Sequence, residues 1–106
     1  MVKRSLTAHQ KLKQSMLRDP VARAEYEAFK LELEVAEQLK TAREKVHLSQ
    51  SDVANQMQTH KPAIARLEAA GGKGKHSPTI KTLSKFATAI GFDLRVKLVQ
   101  KKKRIG

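Results

Sequence analysis

Lys61 and Arg66 stand in the run Lys61-Pro-Ala-Ile-Ala-Arg66, on what would be the exposed face of one short helix. Ammonium and guanidinium groups so placed hydrogen-bond phosphate oxygens and guanine edges, which is recognition chemistry rather than bond-making chemistry. Nothing elsewhere assembles a catalyst. The four histidines, His9, His47, His60 and His76, are scattered, with no i, i+4 pair and no cysteine beside them, so no metal site is expected. Ser49 is accounted for as a helix cap. No carboxylate pair or Ser-His-Asp set can be built, so neither an enzyme nor a cofactor is expected. Gly71-Gly72-Lys73-Gly74-Lys75-His76 is a basic loop, but not a phosphate-binding P-loop, because His76 stands where Ser or Thr must follow Gly-Lys. Lys73 and Lys75 there suit nonspecific phosphate contact, with a merely solvated loop as the bland alternative.

Two short helices and a tight turn must position these cations. Ser49 and Asp52 form a capping-box pattern, and Val53, Ala54 and Met57 then share one side. Gln58-Thr59-His60 breaks the period, and Ile64 and Leu67 restart it. Pro62 falls in the first turn of the second helix, where a missing N–H costs little; Gly71 and Gly72 are expected to end it. Such a pair suits the DNA major groove, whereas the ordinary alternative is a helical hairpin within a bundle.

Upstream, Asp19-Pro20 predicts the start of a long helix reaching about Val46. Val35, Leu39, Ala42 and Val46 form its core stripe. Tyr26, Phe29 and Leu33 lie further upstream, as cover for the core or a dimer mate, or as aromatic anchors for another protein. Residues 1–18 read as a short amphipathic helix or a tail that orders on binding. Downstream, Ser77-Pro78 predicts a further helix, with Ile80, Leu83, Ala87 and Ile90 inward and Gly91 as its stop. Phe92 to Leu98 alternates, with Leu94, Val96 and Leu98 on one face, as in a strand. A lone strand needs a partner, and the same strand of a second copy gives a symmetric homodimer.

The 106 residues carry a net charge of +12, which favours a polyanion: nucleic acid first, an anionic membrane surface second. No apolar run nears the roughly 20 residues of a membrane span, and Lys3 and Arg4 precede no apolar signal region. With no cysteine in the chain, a cytoplasmic protein is expected. One Tyr and no Trp offer little for stacking single-stranded bases. From Glu25 to Glu44, six glutamates against Lys30, Lys40 and Arg43 leave a segment of net −3, so the remainder carries +15. A basic portion and an acidic helix imply two different partners.

From about Val35 to Val99 the chain resembles the Xre/Cro-type repressor domain. The resemblance rests on Arg43, Leu48-Ser49-Gln50, Asp52-Val53-Ala54, Ile64 to Glu68, Ser77 to Leu83 and Ala89-Ile90-Gly91. It implies an all-α helix-turn-helix bundle of about five helices. Around it stand an N-terminal helical extension and a C-terminal β-strand pairing across a dimer. The divisions expected are 1–34 extension, 35–91 DNA-binding domain, 92–100 dimerisation strand and 101–106 basic tail. It also implies backbone contact by Gln50, a groove-facing set of Lys61, Pro62, Ala65 and Arg66, and a structural Arg43–Glu68 pair. Two departures touch the turn: Gln58 stands where the family usually has Gly, and His60 where a small hydroxyl caps.

The extensions resemble HigA-type antitoxins of type II toxin–antitoxin pairs. That implies a HigB/RelE-type mRNA endonuclease as partner, met by Tyr26, Phe29, Leu33, Glu25 and Glu32, and repression of the protein's own operon through double-stranded operator DNA. A stand-alone repressor of the same fold is the alternative. An RNA-binding or membrane-surface basic protein is the rival from another class.

Overall fold

A computed structural model describes residues 7–16, 18–69 and 77–101. Five helices follow in order: α1 Ala8–Met16, α2 Pro20–Lys45, α3 Gln50–Gln56, α4 Lys61–Glu68 and α5 Ile80–Ala89. Asp19 caps α2, its carboxylate accepting from the Val21 N–H at 3.0 Å, and Pro20 takes the first turn. Ser49 and Asp52 close the expected capping box on α3, at 3.0 and 2.8 Å.

α4 packs on α2 and α3, α3 on α5, and α1 on α2. The core is small: Leu39, Val53, Ala54, Ile64, Phe86 and Ile90 are buried together. Val35, Ala42, Leu48, Met57, Leu67 and Leu83 close around them. Val53, Ile64 and Phe86 are fully inaccessible, one each from α3, α4 and α5. These helices are too short to hold alone, and this shared burial is what fixes the α3–turn–α4 unit.

Several expectations need correction. Among the described residues four helices, α2 to α5, make the bundle, with α1 as the N-terminal extension; no fifth bundle helix occurs. Gly91, at φ +80°, ends α5 in a left-handed conformation, and the alternating segment after it has no helical period. Within the single chain that segment forms no strand, and the expected pairing with a second copy is a separate matter. Residues 92–100 have no ladder bonds, because a single chain offers them no neighbouring edge. α5 begins later than Ser77-Pro78, capped by Thr79, whose hydroxyl accepts from the Thr82 N–H at 3.1 Å. Ile80 therefore sits on the first turn and is exposed, while Phe86 takes the core place. Val46 caps α2 and is likewise exposed. α4 stops at Glu68 with Ala69 as its cap; Gly71-Gly72, expected to end it, lie outside the described residues.

Candidate nucleic-acid interface

α4 presents a divided surface. Ile64 is buried against α2 and α3, whereas Lys61, Pro62 and Arg66 are exposed, with Ala65 half-buried between them. The apolar side of the helix anchors it and the cationic side faces water, as a helix entering a groove requires. His60 occupies the cap position but makes no side-chain cap hydrogen bond, leaving the first N–H groups of α4 without that partner.

Behind α4 lies a polar brace. Arg43 of α2 grips Glu68 of α4 with two N–H groups, Nε to Oε2 at 2.6 Å and Nη2 to Oε1 at 2.9 Å. Its Nη1 donates to the Leu48 carbonyl at 2.8 Å, tying the α2–α3 turn into the same knot. The two side chains are 11% and 3% exposed, so the pair lies in a largely dry setting and needs these bonds. Hydrogen bonding to Glu68 raises the Arg43 pKa, with burial opposing it. Gln50, expected to touch the DNA backbone, donates from Nε2 to Glu68 Oε1 at 3.2 Å. The amide keeps a second N–H that this bond does not use.

Lys73 and Lys75 lie outside the described residues, as do Lys102 to Arg104 of the tail. The expected protein-docking residues all fall on α2. Glu25 and Leu33 are exposed, while Tyr26 and Phe29 are half-buried, and Lys30 sits with Nζ 5.5 Å from the centre of the Tyr26 ring. Half-buried Glu32 accepts a hydrogen bond from the Ser77 hydroxyl, joining α2 to the segment that enters α5. No local signal could have found that contact, since its partners are 45 residues apart. Among the described residues no group of three or more His, Cys, Asp or Glu is placed to hold a metal ion, and no helix is long and apolar enough to cross a membrane.

A family model described as helix-turn-helix matches residues 39–97, more than half of the chain. The chain belongs to the Xre/Cro-type helix-turn-helix superfamily. No curated protein and no solved structure matches it. This helix-turn-helix protein is accordingly a DNA-binding transcriptional regulator, of a family that is generally non-enzymatic. The match starts at Leu39, the first residue of the core cluster, so α1 and most of α2 lie upstream of the family domain.

Proposed function

We propose that this regulator is the antitoxin of a type II toxin–antitoxin pair, acting in the cytoplasm. It binds a HigB/RelE-type toxin through the upstream half of α2 and represses its own operon as a homodimer. The observation that carries this reading is α2 itself. One 26-residue helix supplies the helix-turn-helix core at its C-terminal end and extends upstream as an acidic, largely exposed rod. A basic ribosome-directed nuclease is the electrostatic complement of such a rod. Tyr26, Phe29 and Leu33, with Glu25 and Glu32, are the first candidates for the toxin side. Gln50, Lys61, Pro62, Ala65 and Arg66, with Lys73 and Lys75 from the loop, are the candidates for the operator side. Leu94, Val96 and Leu98 pair the two copies.

Co-purification with the neighbouring gene product, each protein tagged in turn, tests the reading. A tight complex lost in a Tyr26→Ala/Phe29→Ala variant supports both the antitoxin role and those anchors. A complex that survives keeps the role and moves the surface. Absence of any complex refutes it. The second reading, a stand-alone repressor, is favoured by the half-burial of Tyr26 and Phe29 and by the packing of α1 on α2. Upstream α2 would then serve the fold, and the protein would repress with no partner.

A further inference from the structure

α2 carries an apolar stripe separate from the face of Ala22, Tyr26 and Phe29. Val21 and Ala28 of the stripe each stand one residue before Ala22 and Phe29 of that face, and one residue turns the helix about 100°. Val21, Ala28 and Val35 repeat every seventh residue, with Ala24 and Leu31 between them at the alternate positions of a two-heptad seam. Val21 is 64% and Leu31 59% exposed, and Ala24 and Ala28 are exposed as well. Only Val35, at the downstream end, packs against the core. The seam therefore has the pattern of a helix-packing surface, and among the described residues no element covers it for most of its length.

Its flanks identify what covers it. In a paired helix the residues beside the seam face those of the partner and decide which partner is accepted. One flank holds Glu25 and Glu32, the other Glu27 and Glu34, so all four positions are glutamate. The nearby cations Arg23 and Lys30 lie just outside the Glu27–Glu34 flank, four residues before Glu27 and Glu34, with Lys30 Nζ 5.5 Å from the centre of the Tyr26 ring. A second copy laid seam to seam would set carboxylate against carboxylate, which disfavours self-pairing. Ala24 and Ala28 keep the middle of the seam shallow, so a partner helix with large side chains can come close. Glu32, already held by the Ser77 hydroxyl, has less freedom to lose on binding.

We propose that the Val21–Leu31 seam of α2 takes a helix of a different protein, one with a leucine-like apolar stripe flanked by Lys or Arg. This rests on the reading of α2 as a docking helix, and places the contact on a different face from Tyr26 and Phe29.

The test titrates isotope-labelled full-length protein with a synthetic heptad peptide, Leu along the seam and Lys on both flanks, mapping amide shifts by NMR. Saturable shifts confined to residues 21–35 are expected, with none from a Glu-flanked version of the peptide. Leu31→Glu should weaken the Lys-flanked peptide about tenfold or more, since an apolar anchor is lost to a like-charged flank. Glu27→Lys/Glu34→Lys should shift preference toward the Glu-flanked peptide. Unchanged helicity and operator binding verify that each variant folds. Shifts centred on the Tyr26–Phe29 face, shifts spread over the chain, or equal binding of both peptides would overturn the proposal, as would no binding. Co-purification separates the two readings. A neighbouring gene product that is retained by Val21→Glu/Leu31→Glu but lost by Tyr26→Ala/Phe29→Ala keeps the antitoxin and sinks the seam. No complex, with the peptide bound at 21–35, keeps the seam and sinks the antitoxin.

Discussion

Glu68 accepts from Arg43 Nε, Arg43 Nη2 and Gln50 Nε2, so one carboxylate joins three helices at the back of α4. With 3% of its side chain exposed, it cannot fall back on water if Arg43 is removed. Arg43→Ala should therefore cost about 3 kcal/mol of unfolding free energy, read from urea denaturation. Arg43→Lys should recover only part of this, because an ammonium cannot reproduce the two-pronged grip while also reaching the Leu48 carbonyl. Arg66 belongs to the opposite case. It is exposed, and Arg66→Ala should leave stability within about 0.5 kcal/mol of wild type. Its operator affinity should nevertheless fall by about 1–3 kcal/mol with relaxed specificity, measured by titrating specific and scrambled duplexes in parallel. Equal loss on both duplexes would make Arg66 a phosphate contact instead.

At the scale of elements, α2, α3 and α5 end in the same way. A residue with positive φ follows each cap, His47 at 59°, Gln58 at 54° and Gly91 at 80°. The next N–H then reaches back to close the turn: Leu48 to Arg43 at 3.3 Å, Thr59 to Ala54 at 2.8 Å and Phe92 to Ala87 at 2.8 Å. Only the third uses the residue that adopts this conformation without side-chain strain. Gln58→Gly should raise stability by about 0.5–1 kcal/mol, and His60→Ser, which adds the missing cap to α4, by a similar amount; thermal unfolding reads both. The capping box of α3 adds a pH dependence. Hydrogen bonds from the Ser49 backbone and side chain lower the Asp52 pKa below its ordinary 3.8. A carboxylate whose folded pKa is depressed stabilises the fold above its unfolded value and loses that contribution as pH falls through the folded one. Asp52→Asn should thus lower stability at pH 7, where the carboxylate's contribution is fully present, and flatten the acid limb below about pH 4, where wild type loses that contribution. Capping signals made the starts of α2 and α3 legible in sequence, because Asp19-Pro20 and Ser49 to Asp52 act within one turn. The helix ends were less legible. The positive φ at His47 carries no glycine signal, and at Gln58 the one sign is that the resembled family usually has Gly there. Phe86 was within reach, since Leu83, Phe86, Ala87 and Ile90 hold helical spacing; starting the inner face at Ile80 displaced it.

For the whole molecule, the charge division and the apolar segment after α5 belong together. A net +12 chain gathers −3 into residues 25–44 and carries +10 in residues 45–106, the portion that holds α3, α4 and the basic loop and tail. Binding should therefore weaken steeply as salt rises, with a log–log slope that shrinks by about one for each phosphate contact removed, as in Lys61→Ala. Residues 92–100 contribute nothing comparable within one chain. Val96 is 68% and Leu98 96% exposed, and the Asp93–Arg95 pair at 3.8 Å is too exposed to hold the segment in place. Their alternation has a physical use only where a second edge supplies hydrogen-bond partners and covers Leu94, Val96 and Leu98. If that edge is the same segment of a second copy, Val96→Lys/Leu98→Lys should convert a dimer to a monomer in sedimentation velocity, because the paired face would then bury like charges. Each single chain should keep its thermal stability, since neither residue touches the core cluster. Operator affinity should fall by about a hundredfold, because two linked recognition helices gain from effective concentration what one helix cannot. A variant that stays dimeric, or a monomer that binds the palindrome undiminished, would show that the copies meet elsewhere or act singly.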